Sequence, residues 1–362
     1  MLEEVRIQNF KSLKDCRVKL GDFQVLVGVN GSGKSSFLQA LDVLGKVVAY
    51  QERFDAYFES SFKYRGAPEE ASIRWELNFS DSFEYKLNSV GPLITEEALL
   101  GGNCFYSLTP TEGVSRATYG ARENLEVSRG ISGLMTLAQE PLEHALAGRI
   151  IGMRRYHLDP VRLAMECQVA HQERPSMEAD GKGLATVLDY LLTTERKAFN
   201  RIETSLQKLI PRFHELLLKP GSSQGTRTLG IRDIEGWEID ADQLSGGFLL
   251  FLGYLVLVHG HKTSVLMLEE PENGIHPQRL KEVVDLTRAM ARSENVQVIM
   301  ASHSPYLLDF VEKDEVLVVH RETETGETHI TPLLELPGAA KRAADYFTGE
   351  LVFNFSEKDL LT

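Results

Sequence analysis

Apolar residues in the first part of the chain recur with the short periods of β-strands before they change to a helical pattern. Residues 5–7 alternate between apolar and polar side chains, the segment 9–13 reads as a turn, and residues 18–27 hold two further apolar runs. A glycine-rich stretch follows, and helical spacing then extends from Lys34 to about Ala49. The pattern predicts strands, a loop and a helix in this order.

Two alternating segments, residues 73–79 and 83–87, predict an antiparallel hairpin that turns at Asp81-Ser82. Between about residue 91 and residue 230 the pattern changes to helical periodicity, which is clearest from Gly183 to Leu218. Apolar side chains there repeat at intervals of three and four, which is typical of a buried helix face. We expect an inserted, mainly helical lobe, followed by a flexible polar loop at residues 221–226.

The second half returns to apolar strands that alternate with helices. The strand-like segments are 264–268, 296–300 and 315–319, and the helices between them begin near Gly247, Pro277 and Pro305. The alternation predicts an α/β fold with a mixed, mainly parallel sheet covered on both faces, and the hairpin would belong to a separate antiparallel β layer. We divide the chain into residues 1–90, the inserted lobe 91–230, and residues 231–362.

The composition of the chain restricts the classes of protein to which it can belong. The chain has 362 residues, of which 43% are hydrophobic and 25% charged, so it can bury a full core. It contains no apolar run long enough to span a bilayer, and its acidic start does not resemble a signal peptide, so we expect a cytoplasmic protein. Cys16, Cys104 and Cys167 lie far apart, which predicts reduced core thiols rather than a metal site.

The net charge of −13 argues against strong sequence-independent DNA binding. Residues 195–219 hold a local excess of basic side chains. A solvated helix face is the favoured interpretation of this stretch, and a basic groove is the alternative.

The segment from Gly28 to Ser35 matches the P-loop pattern and lies between an apolar strand and a helix. Its backbone N–H groups would surround phosphates at a helix N-terminus. Lys34 would bridge the β- and γ-phosphates, and the Ser35 hydroxyl would bind Mg²⁺. We therefore expect ATP and Mg²⁺ as ligands. The expected nucleotide contacts are Asn30, Gly31, Ser32, Gly33, Lys34, Ser35 and Ser36.

Glu269 and Glu270 end an apolar strand, at the edge of the sheet where the P-loop also lies. Glu269 would hold the Mg²⁺ shell, and Glu270 would orient or deprotonate the attacking water. A solvated acid pair is the alternative.

A second anion cradle, made of Ser245, Gly246 and Gly247, lies at the start of the helix that begins near Gly247. It is either a simple N-cap or a contact to the ATP of a partner subunit.

The order of these motifs resembles that of ABC-type ATPases, in which two heads sandwich two ATP molecules. In that resemblance Leu244 to Gly247 corresponds to the signature loop. His303, which follows the strand at 296–300, corresponds to the switch histidine that contacts the γ-phosphate or the hydrolytic water. A core histidine is the alternative interpretation.

Finer features resemble the RecF, SMC and OLD group. They are the acid-rich segment 269–277, the N-terminal turn 9–13 and the segment 180–188. Glu269 departs from the usual Walker B aspartate, and Gln51 is a weak candidate for the Q-loop. OLD nucleases carry a C-terminal TOPRIM domain, for which the segment after His303 is too short, so we expect any nuclease work in another chain.

The resemblance implies an ATPase that dimerises, or forms a higher homo-oligomer, on ATP. It would regulate a separately encoded effector, a nuclease or a toxin, plausibly in anti-phage defence. A RecF/SMC-like ATPase that binds DNA in repair or maintenance is the alternative, and a transporter ATPase is a third. The roles expected are catalytic for Glu270, His303 and Lys34 and metal-binding for Ser35 and Glu269.

Overall fold

The computed structural model describes residues 1–49, 60–68, 70–91, 93–101, 104–110, 114–119, 122–128, 132, 134, 141–169, 174–260, 263–293, 296–353 and 359–360. Its strands are β1 (Leu2–Phe10), β2 (Leu13–Lys19), β3 (Phe23–Val27), β4 (Ile73–Phe79), β5 (Glu84–Val90), β6 (Leu93–Gly101), β7 (Cys104–Pro110), β8 (Val114–Tyr119), β9 (Arg122–Ser128), β10 (Met153–Tyr156), β11 (Cys167–Gln168), β12 (Phe213–Pro220), β13 (Thr226–Asp233), β14 (Glu238–Asp240), β15 (Val265–Glu269), β16 (Gln297–Ser302), β17 (Val316–Arg321) and β18 (Thr328–Pro332). Its α-helices are α1 (Lys34–Ala49), α2 (Pro141–Ile151), α3 (Pro160–Leu163), α4 (Leu184–Thr194), α5 (Arg196–Leu209), α6 (Gly246–Gly260), α7 (Pro277–Ser293), α8 (Pro305–Leu308), α9 (Pro337–Arg342) and α10 (Thr348–Phe353).

The chain forms two compact units. The first contains Met1–Arg155, Thr263–Met267 and Ala291–Thr362, and the second contains Tyr156–Lys262 and Leu268–Met290. These limits differ from the boundaries predicted at residues 90 and 230.

An antiparallel sheet with the strand order β2-β1-β4-β5-β6-β7-β8-β9 occupies the first unit. Its apolar face contributes Phe10 and Trp75 to a core that also contains Phe37 of α1. The Trp75 indole N–H donates to the Ala40 carbonyl at 3.0 Å, which satisfies a polar group that burial would otherwise penalise. The sheet is thereby packed on the helix that follows the glycine-rich loop.

The predicted hairpin is confirmed. β4 pairs with β5, and Ser82 takes a φ of +62° in the turn between them. The Ser82 N–H donates to the Phe79 carbonyl at 3.0 Å, which closes the turn.

A second sheet has the order β10-β15-β16-β3-β17-β18. β3 lies between β16 and β17 and pairs parallel with both, whereas β18 is antiparallel to β17. Every residue of β3 and β16 is buried, as expected for parallel strands covered on both faces. The α/β fold with a mixed sheet and a separate antiparallel layer is therefore confirmed.

The mainly helical composition expected for residues 91–230 is wrong. β6 to β9 continue the antiparallel sheet beyond residue 90, and the helical segment ends at Leu209 rather than Leu218. The leucines at 216–218 suit a helix face as well as a strand, and pairing of β12 with β13 decides between them.

The second unit contains a sheet of β11, β13 and β12, with β14 paired to β13. Helices α4 and α5 each bury one apolar face, as predicted for α4. Helix α6 is apolar on nearly all sides and is buried. No helix in the described part of the chain is both long and apolar enough to cross a membrane.

The loop at residues 221–226, predicted to be flexible, is held by hydrogen bonds. The Glu166 carboxylate accepts from the Thr226 hydroxyl, from the Ser222 hydroxyl at 2.8 Å and from the Ser223 N–H at 3.2 Å. These donors, Thr226 first, lower the pKa of Glu166 to about 2.

Candidate nucleotide-binding site

The glycine-rich loop joins the C-terminal end of β3 to the first turn of α1. Two of its glycines are required by close packing against the β17–β18 hairpin. A Cβ atom at Gly28 would lie 2.1 Å from the Val319 carbonyl oxygen, and one at Gly33 would lie 2.3 Å from Thr328 Oγ1. Gly33 also has a φ of +115°, which side chains with a Cβ rarely adopt. The hairpin thus sets the path of the loop.

Lys34 is buried and lies over the loop. Its Nζ donates to the Gly28 carbonyl at 2.6 Å and to the Val29 carbonyl at 3.2 Å. The ammonium group is therefore held inside the curve of the loop, where a bound phosphate would compete for it.

The surroundings of the Ser32 hydroxyl indicate whether the loop could bind an anion. It is buried, and it has no hydrogen-bond partner among the residues that the structure describes. A buried hydroxyl without a partner costs free energy, which a ligand oxygen would recover. The first N–H groups of α1 also lack intrahelical acceptors. These features fit a phosphate group.

The other predicted contacts of the P-loop lie where a ligand can reach them. Asn30, Gly31 and Ser35 are exposed, and Ser36 is half-buried in the first turn of α1. An exposed hydroxyl at Ser35 is compatible with the predicted magnesium ligand.

His303 follows the last residue of β16. In the parallel pairing of β16 with β3, Ser302 lies opposite Val27, the residue before Gly28. The sheet therefore brings His303 and the P-loop to the same edge, as the sequence predicted. His303 is half-buried, and the Ser304 N–H donates to the Ser302 hydroxyl at 3.0 Å in the turn that follows.

The acid pair lies where β15 ends. Glu269 is the last residue of the strand, and Glu270 follows with a φ of +46°, an uncommon conformation for a residue with a Cβ. The Asn273 side-chain amide donates to Glu270 Oε2 at 2.6 Å, and the Asn273 N–H donates to the Glu270 carbonyl at 2.9 Å. The turn therefore fixes the direction of the Glu270 carboxylate.

Ser245 caps α6. Its hydroxyl accepts from the Phe248 N–H at 3.2 Å, as an N-cap does, and Ser245 is exposed, so the cap leaves the residue accessible to a further ligand. A Cβ atom at Gly247 would lie 3.2 Å from the Gly274 carbonyl oxygen, and the Tyr254 hydroxyl lies 3.4 Å from the Pro271 carbonyl. Helix α6 therefore packs against the turn that holds Glu270.

Sequence reasoning missed Asn273, Ser12 and Thr328. The spacing of Asn273 three residues after Glu270 is a local signal that could have identified it. Ser12 and Thr328 are separated by most of the chain, and no local pattern connects them. Gln51, the weak Q-loop candidate, lies outside the described residues.

The basic stretch at residues 195–219 is partly neutralised. Arg212 pairs with Asp233 at 3.2 Å, and Lys219 pairs with Asp240 at 2.8 Å. Both side chains lie outside α5, and their ion pairs reduce the excess of positive charge that a basic groove would need.

Cys16 and Cys167 are buried free thiols, as predicted, while the side chain of Cys104 lies outside the described part. Burial, together with the nearby Asp15 charge, raises the pKa of Cys16 to about 12.

Parts of this chain match known families of AAA domains. Residues 1–87 match the family described as "AAA ATPase domain", and residues 170–309 match "AAA domain, putative AbiEii toxin, Type IV TA system". An OLD nuclease from Thermus scotoductus is 23% identical over 356 residues. That match covers 90% of this chain and 63% of the relative, so the chain spans less than two thirds of the relative's length.

Among solved structures, the SMC head bound to the C-winged helix domain of ScpA has the same fold. Its TM-score is 0.55 at 14% identity, and the match covers 91% of this chain and 97% of that one. Two families of AAA domains thus match separate parts of this chain, an OLD nuclease resembles it in sequence, and an SMC head shares its fold.

Proposed function

We propose that this protein binds and hydrolyses ATP, closes as a head-to-head dimer or higher homo-oligomer on ATP, and thereby regulates a partner effector. The single observation that supports nucleotide binding most strongly is the P-loop itself. Its lysine is held inside the loop by two carbonyls, and its buried Ser32 hydroxyl has no partner in the described chain. Both features suit a polyphosphate.

The residues would divide the work as follows. ATP with Mg²⁺, when bound, supplies the phosphoanhydride bond that is broken. Lys34 would neutralise the β- and γ-phosphates, and Ser35 and Glu269 would hold the metal. Glu270 would accept a proton from the attacking water, and His303 would donate a hydrogen bond toward the γ-phosphate.

The turn after β15 supports the role of Glu270. A left-handed backbone at a residue other than glycine costs free energy, and such strain persists where the surroundings hold it. Asn273 holds this conformation with one side-chain and one main-chain bond. A carboxylate with a fixed direction suits a general base better than a freely rotating one.

The proposed dimer rests on the second anion cradle, at the start of α6. Ser245, Gly246 and Gly247 would contact the γ-phosphate bound by the partner subunit, because the first subunit already has its own P-loop. The packing of α6 on the turn 270–274 would pass this contact to Glu270.

The effector proposal rests on relatives and charge. The matched SMC head was solved with a bound protein domain, and the OLD relative is a nuclease. The description of one matched family names a "putative AbiEii toxin". The net charge of −13 favours a protein over nucleic acid as the partner. We therefore propose a separately encoded nuclease or toxin as effector, in anti-phage defence.

Binding of fluorescent ATP and release of phosphate test the nucleotide chemistry. Lys34→Ala is expected to lose binding, whereas the exposed Lys19→Ala is expected to match the wild type. Glu270→Gln is expected to bind ATP, hydrolyse it at least a hundredfold more slowly on the scale of general-base catalysis, and accumulate dimers in light scattering. Glu3→Gln, an exposed acid, is the matched control. Normal turnover by Glu270→Gln would contradict the assignment of the base.

Adding Ser245→Arg to the Glu270→Gln variant tests the shared site. The double variant is expected to bind ATP and remain monomeric. Pull-down from the native host tests the effector, and salt-dependent DNA binding that is lost with Lys34→Ala would instead favour the DNA-binding alternative.

A further inference from the structure

We infer that Ser12 and Thr328 are positioning residues of the P-loop, joined by a hydroxyl relay that ends on the Ser32 carbonyl. Neither residue belongs to the P-loop motif. The effect on nucleotide affinity rests on the proposed function, whereas the effect on the loop itself does not.

The relay consists of two short contacts. Thr328 Oγ1 lies 2.7 Å from the Ser32 carbonyl oxygen and 2.8 Å from Ser12 Oγ. Thr328 has one hydroxyl proton, and a carbonyl oxygen can only accept. Thr328 therefore donates to Ser32, and Ser12 donates to Thr328.

The main chain reinforces this arrangement. The Thr328 N–H donates to the Ser12 carbonyl at 3.0 Å, so the two residues are joined by a backbone bond as well as by their hydroxyls. Thr328 is only 2% exposed, which keeps water from replacing either bond. The N-terminal turn, β18 and the P-loop thus form one hydrogen-bonded chain.

The geometry of the peptide bond connects the hydrogen bond on the Ser32 carbonyl with anion binding. In a trans peptide the carbonyl and the following N–H point in opposite directions. Because Thr328 holds the Ser32 carbonyl on the side of β18, the Gly33 N–H must point away from β18. The relay therefore fixes the direction of an N–H group at the start of α1, where phosphates bind.

The Thr328 side chain also packs closely against the P-loop. Thr328 Oγ1 and Cγ2 would lie 2.3 and 2.6 Å from a Cβ atom at Gly33. The Thr328 side chain therefore packs directly against the Gly33 backbone.

The surrounding hairpin holds Thr328 in place. The Tyr64 hydroxyl donates to the Thr325 carbonyl at 3.1 Å, and Lys14 forms an ion pair with Glu327. Both contacts lie within three residues of Thr328 and connect the hairpin tip to the N-terminal segments of the first unit.

Hydrogen–deuterium exchange of residues 28–36 in nucleotide-free protein tests the relay directly. Thr328→Val, which keeps the shape and removes the hydroxyl, is expected to speed exchange of these amides by about tenfold, as for the loss of a buried hydrogen bond. Thr328→Ser, which retains the hydroxyl, should restore most of the protection. Thr331→Val, on the same strand, is the matched control and should leave the loop unchanged.

Ser12→Ala gives a second, milder variant that is expected to fold if Thr328→Val does not. It should speed exchange in the same peptide, and Ser12→Ala combined with Thr328→Val should be no faster than Thr328→Val alone. Unchanged P-loop exchange in both single variants would overturn the relay.

Nucleotide titration separates the relay from the proposed function. Thr328→Val is expected to weaken ATP binding by about tenfold, with Thr331→Val unchanged. If the wild type binds no nucleotide, the proposed function fails, while the exchange data still decide the relay. If the wild type binds ATP and Thr328→Val binds it equally well with a protected loop, the relay is wrong and the proposed function stands.

Discussion

Replacing Gly33 by alanine should destabilise the first unit for two separable reasons. The first is backbone strain, because an alanine would have to adopt a φ of +115°, at about 1–3 kcal/mol. The second is overpacking, because the new Cβ would lie 2.3 Å from Thr328 Oγ1, at about 1–3 kcal/mol more. The sum of about 2–6 kcal/mol corresponds to a melting temperature lower by roughly 5–20 °C for a unit of this size.

A double-mutant cycle separates the two terms. In a Thr328→Ala background most of the overpacking disappears, because the nearest remaining atom, Ser12 Oγ, would lie 3.0 Å from the new Cβ. Gly33→Ala should then cost mainly the strain, about 1–3 kcal/mol. Gly31→Ala is the matched control, because Gly31 has a φ of +80° and no atom lies within 4 Å of the position that its new methyl group would take. Its cost should be about 1–2 kcal/mol in both backgrounds.

Differential scanning calorimetry on the wild type and these variants gives the comparison, with fluorescent ATP binding as the functional readout. An equal cost of Gly33→Ala with and without the Thr328 side chain would refute the steric argument. A cost for Gly31→Ala that depends on Thr328 would show that the P-loop backbone moves as a unit, and would refute the separation of the two terms.

Three further outcomes follow from the structure. Asn273→Ala should slow ATP turnover by roughly tenfold by releasing Glu270 while ATP affinity stays the same, and steady-state kinetics showing a change in KM alone would contradict this. Glu166 has a pKa lowered to about 2 in the folded protein from an ordinary 4.5, so its ionised form stabilises the fold above pH 4.5 and that stabilisation is lost as the pH falls through 2. The melting temperature of Glu166→Gln should therefore lie below that of the wild type at neutral pH and approach it in acid, whereas a constant difference would contradict the assignment. Cys16, whose pKa is raised to about 12 by burial, should resist iodoacetamide at pH 8 in the native state and react after denaturation, as mass spectrometry would show.

Local pattern predicted much of the fold. Periodicity and turn residues predicted the bounds of α1, the presence of the β4–β5 hairpin and the strand before the P-loop. Those signals depend on residues that are close together in the chain. The prediction for residues 91–230 was wrong where pairing with another strand determines the secondary structure of a segment. β6 pairs with β5 through Tyr85 and Leu99, and β12 pairs with β13. Such pairing overrides a segment's own preference.

The sequence by itself determined the candidate chemistry, since the P-loop, the acid pair and the signature are short motifs whose residues lie side by side in the chain. The catalytic roles of those residues remain predictions. The tertiary structure placed His303 at the same edge of the sheet as the P-loop, through the register of Ser302 with Val27. It alone joined Thr328 to Ser12 across 316 positions. Contacts of that separation leave no periodic signal, because they depend on how whole strands are ordered in a sheet.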